Sequence, residues 1–219
     1  RELGEAAQKL YGKQLRVGEF IHNLSIYQSI NPEKSFVDTI NSLAIEDPQH
    51  PPLYYLLARF WASFLGDTVA IIRSLSSFTG LLVIACTYWL CIELFESHII
   101  GYVASMLVAI SPFQILYSQE ARQYILWALV TLISSTLLLR AKRLNTRSSW
   151  VTYSIAFAAS AYTFPFAYLV AMSHGLYILC IEKFRLTKSV RRYLVASLVG
   201  FSLSLPWLIV ITTNAGRFY

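Results

Sequence analysis

The chain has 219 residues, 56 % of them hydrophobic and 14 % charged, with a mean hydropathy of +0.51. Soluble domains carry about a quarter charged residues, so this composition excludes an ordinary soluble globular protein. The net charge of +6 gathers its basic residues in short stretches, Arg140 to Arg147 and Lys183 to Arg192, a distribution that argues against a nucleic-acid surface.

Uncharged runs extend over Ser74–Ile92, Ile99–Gln119, Gln123–Leu139, Ser148–Ile181 and Tyr193–Asn214. Since roughly 20 apolar residues cross a bilayer core, the expected fold is all-α. It is a polytopic transmembrane helical bundle of about six spans, with an extracytoplasmic first loop of short interfacial helices. The chain opens at Arg1 with no Met, signal peptide or leading apolar run, and it reads as a piece of a longer protein.

Residues 1–50 are polar. Val17, Phe20, Ile21 and Leu24 make one amphipathic stripe, and Phe36, Ile40 and Leu43 make another. Asn31-Pro32-Glu33 reads as a helix start, with Asn as N-cap, and the helix ends near Ala44. Asn23-Leu24-Ser25 fits a glycosylation sequon, a short and common pattern. Pro51 to Gly66 is apolar but short, and Arg59 interrupts it. With Tyr54, Tyr55, Phe60 and Trp61 it reads as an interfacial helix.

Spans follow at about 70–95, 98–116, 123–142, 149–163, 165–182 and 192–213, behind a 1–68 outer loop and with a second outer loop at 117–122. The 34 uncharged residues from Ser148 to Ile181 would make a single helix of about 50 Å, too long for a core of roughly 30 Å. Pro165 is a natural point of reversal, and two crossings there leave both basic clusters on the cytoplasmic side. Counting back, the segments around 46–52 and 117–124 fall together on the outer side.

These two polar islands carry the chemistry. Glu120 and Arg122 are the only ionised side chains between His98 and Arg140, and each costs on the order of 3 kcal/mol at the centre of a membrane helix. Such groups pair, reach a wet cavity or do chemistry. If 117–124 is helical, Tyr117, Glu120 and Tyr124 share a face and Arg122 is free to reach a lipid phosphate. The bland alternative is a structural ion pair or a snorkelling arginine. Arg73 divides between the same two readings. Glu46 and Asp47 precede His50-Pro51-Pro52, where a helix start beside two carboxylates could hold phosphate, a cation or a sugar hydroxyl. The alternative is a charged loop before an ordinary helix. His174 has no metal partner at helical spacing and reads as a packing residue. Cys86, Cys91 and Cys180 all lie in apolar segments, and Cys86 and Cys91 do not face each other, so neither a disulfide nor a metal site is expected.

The string Asp47-Pro48-Gln49-His50-Pro51-Pro52-Leu53-Tyr54-Tyr55 is followed by Arg73-Ser74-Leu75-Ser76. Ser111-Pro112-Phe113 and Tyr117-Ser118-Gln119-Glu120-Ala121-Arg122 come after it. In this order the chain resembles the GT-C membrane glycosyltransferases, in the bacterial, cyanobacterial-type branch of the protein mannosyltransferase-like group (glycosyltransferase family 39). The resemblance runs from about residue 30 onward. It implies an inverting transfer of a sugar from a polyprenyl-phosphate-linked donor to a protein, lipid or glycan acceptor outside the cytoplasm, at the plasma (inner) membrane.

The resemblance further implies that Glu46 or Asp47 matches the acidic residue of the first outer loop. Glu120 matches that of the second, and Arg122 is the candidate for the lipid phosphate. The candidate catalytic groups are thus Glu46, Asp47 and Glu120, and the candidate substrate contacts are His50, Arg73, Tyr117, Gln119 and Arg122. Glu46, Asp47 and His50 are also the candidates for a divalent cation. The family's first transmembrane helix and the acidic pair after it have no match, since Glu2 and Glu5 do not reproduce that motif. The usual base is expected upstream of Arg1. The rival readings are a lipid-linked sugar flippase or transporter and a non-catalytic membrane scaffold. Clean uncharged spans with polar groups gathered at one face favour the enzyme.

Overall fold

A computed structural model describes residues 34–214, and among them it has nine helices and no strand. The stripe of Val17 to Leu24, the Asn23 sequon, Glu2 and Glu5 lie outside the described residues.

Helix α1 (Phe36–Glu46) has Ser35 as its N-cap, and the helix start expected at Asn31-Pro32-Glu33 lies outside the described residues. Ser35 and Asp38 form a capping box. The Asp38 N–H donates to Ser35 Oγ at 3.3 Å, and the Ser35 N–H donates to Asp38 Oδ2 at 2.7 Å. The Ser35 N–H and, at 2.8 Å, the Ser35 hydroxyl both donate to Asp38 Oδ2 and hold that carboxyl below its usual range. Helix α2 (Leu53–Leu65) has 13 residues, about 20 Å, which is too short to cross a bilayer core. Arg59 ties it to α1. Its guanidinium stands 5.7 Å from the Phe36 ring centroid and donates to Thr39 Oγ1 at 3.3 Å and to the Lys34 carbonyl.

Helices α3 (Val69–Phe95), α6 (Tyr124–Leu144) and α9 (Lys188–Asn214) are long and apolar enough to cross a membrane. Between α3 and α6, the expected 98–116 span is two helices, α4 (His98–Ala109) and α5 (Pro112–Gln119), bent by 60° at Ser111-Pro112. Pro112 is the first residue of α5, where its missing N–H costs nothing. Helices α7 (Arg147–Ala161) and α8 (Ala167–Ile181) reverse around Pro165 as expected, but each has only 15 residues. By length and composition the described residues therefore offer three crossings, or four if the bent pair is one, against about six expected.

Two cores hold the bundle. Leu75 and Val83 of α3 meet Ile125, Leu126 and Leu129 of α6, with Tyr54 of α2 closing that cluster. Leu138 and Ala141 of α6 pack with Trp150 and Tyr153 of α7, Ile178 of α8 and Tyr193 of α9. Lipid tails are as apolar as leucine, so close packing rather than water exclusion drives these contacts, and small residues sit where helices cross. Gly200 of α9 shows this, because an added Cβ would lie 2.9 Å from the Ser154 carbonyl oxygen of α7. His174 is buried between Ser135 Oγ, 3.1 Å from Nε2, and the Tyr153 hydroxyl, 3.2 Å from Nδ1. It is the packing residue the sequence suggested.

The bundle has two chemically distinct ends. At one, Glu93 of α3 lies 2.8 Å from Arg143 and 3.6 Å from Arg140 of α6. There Asn145 Oδ1 also accepts from Arg192 of α9 at 2.8 Å and from the Trp150 indole at 3.2 Å. The two basic clusters thus share one end. Helix α6, with 21 residues, carries the chain about 31 Å to the other end, where both polar islands lie.

Candidate active site

The second island is only partly helical, so the condition for Tyr117, Glu120 and Tyr124 to share one helix face is not met. Helix α5 stops at Gln119, and Glu120 takes an extended conformation (φ −87°, ψ 132°). The Arg122 N–H turns back to the Glu120 carbonyl at 2.9 Å. Pro112 and the bend fix where α5 begins, and α6 cannot start before the chain has turned. Helix α5 is seated on α3 through polar contacts: Ser77 Oγ donates to the Ser118 carbonyl at 3.0 Å, and Gln114 Nε2 to the Gly80 carbonyl at 3.0 Å. The seat is tight, because a Cβ at Gly80 would fall on Ser118 Oγ, which would have to rotate away.

A cleft of about 550 Å³ opens between this turn and the first turns of α3. Val69, Ile72, Arg73, Gln119, Glu120, Ala121 and Arg122 line it. Four of the expected site residues, Arg73, Gln119, Glu120 and Arg122, are therefore brought together. Glu120 and Arg122 do not pair with each other, nor does either form an ion pair with any described residue. No described residue supplies the structural ion pair that was the bland alternative. Tyr117 is directed elsewhere and packs its ring 5.5 Å from that of Tyr124. The next residue, Gln123, is 3 % exposed, and its Nε2 has no hydrogen-bond partner among the described residues.

The first island lies in the connection from α1 to α2. Asp47 caps the end of α1, its N–H donating to the Leu43 carbonyl. Its Oδ2 is 2.7 Å from His50 Nδ1, and the His50 N–H donates to the Asp47 carbonyl at 3.1 Å. Pro48 and Pro51 are fully buried, and Pro52 rather than Pro51 is the N-cap of α2. The free helix start expected beside the carboxylates is partly consumed, since the Leu53 N–H donates to the Tyr162 carbonyl at 3.1 Å. Glu46, the last residue of α1, is exposed and has no polar partner among the described residues. Of the three candidates for a divalent cation, Asp47 and His50 engage each other, and no group of three or more His, Cys, Asp or Glu converges among the described residues.

Tyr55 joins the islands. Its phenol is pushed up to about 12, first by burial and then by the Asp47 carboxylate and Tyr54, while the Arg122 guanidinium pulls the other way. Both islands therefore act on one hydroxyl. Its ring also meets His50 edge-on at 6.4 Å and Tyr54 at 5.6 Å. Sequence reasoning placed Tyr55 only in the interfacial belt. Trp207, whose indole Nε1 donates to the Pro48 carbonyl at 3.2 Å, was missed altogether. No local pattern links a tryptophan in the last apolar run to the first loop.

The family model for dolichyl-phosphate-mannose-protein mannosyltransferase matches residues 49–210. The chain belongs to this family. No curated protein and no solved structure matches it. Membership makes the chain mannosyltransferase-like, in a family of membrane glycosyltransferases that draw on lipid-linked sugars. Its apolar helices agree with an integral membrane protein. The matched stretch includes His50, Arg73, Tyr117, Gln119, Glu120 and Arg122, and begins just after Glu46 and Asp47.

Proposed function

We propose that the chain transfers a sugar from a polyprenyl-phosphate-linked donor to an extracytoplasmic protein, lipid or glycan acceptor, with inversion at the anomeric carbon. The observation that carries this reading is the cleft where Arg73, Gln119, Glu120 and Arg122 converge without an ion pair among them. Two guanidiniums facing a common space suit a phosphate that gains charge as the sugar leaves, and such electrostatic stabilisation is usually the largest catalytic effect.

Catalysis then divides between the islands. The acceptor hydroxyl loses its proton to an acidic group and attacks the anomeric carbon, and the lipid phosphate departs with the electron pair of the broken bond. Arg122 and Arg73 hold that phosphate, and Glu120 accepts from sugar hydroxyls. Asp47, fixed by His50, faces the acceptor side through Tyr55. The active end lies outside the cytoplasm on this reading, because the basic clusters share the opposite end of the bundle. The short α7–α8 hairpin runs to the active end and back.

The test uses membranes that express the protein, supplied with radiolabelled polyprenyl-phosphate sugar. Free polyprenyl phosphate should be released, and release should fall at least about 100-fold in Arg122→Ala and Glu120→Gln. Near-normal release in Arg122→Ala sinks the role of that residue. Movement of labelled lipid between leaflets without consumption would make the protein a flippase instead.

A further inference from the structure

A second groove lies at the other end of α6, between α7 and α9. Its volume is about 520 Å³, within the roughly 300–1,000 Å³ of small-ligand sites. Arg147, Lys188, Arg191 and Arg192 stand at its mouth, and Val195, Val199 and Leu203 continue it along α9 as an apolar wall. None of these four cations forms an ion pair with a described carboxylate. Arg192 donates to the neutral Asn145 side chain, which leaves its charge uncompensated. Arg147 and Lys188 are the first residues of α7 and α9, so both helices add the partial positive charge of an N-terminus.

A topological signal needs cations in the loop but not around a groove, and it needs no apolar wall beneath them. We propose that this groove holds one anionic phospholipid of the leaflet at the basic end, its phosphate on Arg147, Lys188 and Arg191 and one acyl chain along Val195 to Leu203. Charge complementarity selects this occupant, since basic pockets between membrane helices attract anionic headgroups. A second copy of the chain would set its own cations against these. The site shares no lining residue with the donor cleft, and it stands whether or not the proposed transfer reaction is correct.

Native mass spectrometry of the purified protein, with phosphatidylglycerol or phosphatidylcholine added in detergent, tests the assignment. One phosphatidylglycerol should be retained, at least about tenfold more readily than phosphatidylcholine. The triple variant Arg147→Gln, Lys188→Gln, Arg191→Gln should lose that preference. Val195→Trp, which fills the groove and keeps every cation, should lose the bound lipid as well. Equal retention of the two lipids, undiminished retention in both variants, or a dimer occupying the groove would overturn the proposal.

Discussion

Trp207 and Pro48 meet across 159 residues of sequence, the indole N–H on the buried Pro48 carbonyl at 3.2 Å. The last described helix thereby holds the loop that presents Asp47 and His50. Replacing Trp207 with Phe keeps most of the ring and removes the donor. The carbonyl is then buried without a partner, at a cost of about 1–3 kcal/mol. Thermal unfolding in detergent should show that loss, and turnover should fall with it. An unchanged melting temperature would mean that the loop is held by something else.

At Gly80 α5 lies tight against α3, and the two elements together carry the cleft. Gly80→Val should displace α5 and the 119–122 turn while leaving the Leu75–Leu126 core intact. Turnover should drop at least about tenfold with only a modest change in stability, because misplacement of even 1 Å at a site is costly. Gly80→Ala, met chiefly by a serine hydroxyl that can rotate, should be much milder. Equal effects of Val and Ala would argue against this seat.

Tyr55 offers a pH signature. Its folded-state pKa is raised to about 12, above the ordinary value of 10.0, so its contribution is fully present below pH 10 and is lost as pH climbs towards 12. Melting temperature measured between pH 9 and 12 should fall more steeply in the native protein than in Tyr55→Phe. Between pH 6 and 9 the phenol stays neutral, so any activity change in Tyr55→Phe should be the same factor across that range. A titration of the Tyr55→Phe effect near neutrality would refute this reading.

Glu93 predicts an asymmetry. Its side chain is 4 % exposed, whereas those of Arg140 and Arg143 are 46 % and 57 % exposed. Glu93→Gln frees two arginines that can turn to lipid phosphates and should cost only about 1 kcal/mol. The double variant Arg140→Ala, Arg143→Ala strands a buried carboxylate and should cost about 3–5 kcal/mol. Equal losses by thermal or denaturant unfolding would mean that the three charges contribute as a simple set of surface pairs.

Sequence alone carried the fold class, because several uncharged runs of bilayer length in one chain are what a membrane bundle requires and what a soluble domain lacks. It also drew attention to Arg73, Glu120 and Arg122, since charged groups between apolar runs are costly wherever they sit; these three and the neutral Gln119 line one cleft. The break at Pro165 was legible for the same reason that the bend at Pro112 was overlooked: both prolines were visible, but only the first stood in a run too long for a single helix. Whether 117–124 is helical is not legible in the sequence, because spacing says which residues would share a face, not whether the chain stays helical beyond Gln119. Tyr55 and Trp207 act through contacts that only the assembled bundle creates. Their apolar settings made them look like ordinary interfacial and core aromatics.

The Leu53 N–H rests on the Tyr162 carbonyl, which the ribosome adds more than a hundred residues later. During synthesis the first polar segment thus emerges long before its anchor exists. It must wait in water or at the lipid surface while six more helices, α2 to α7, are made. The end of the bundle that carries both polar islands is accordingly a late-maturing structure. A chain arrested before α7 could insert its early helices and still leave the Asp47–His50 loop without its anchor.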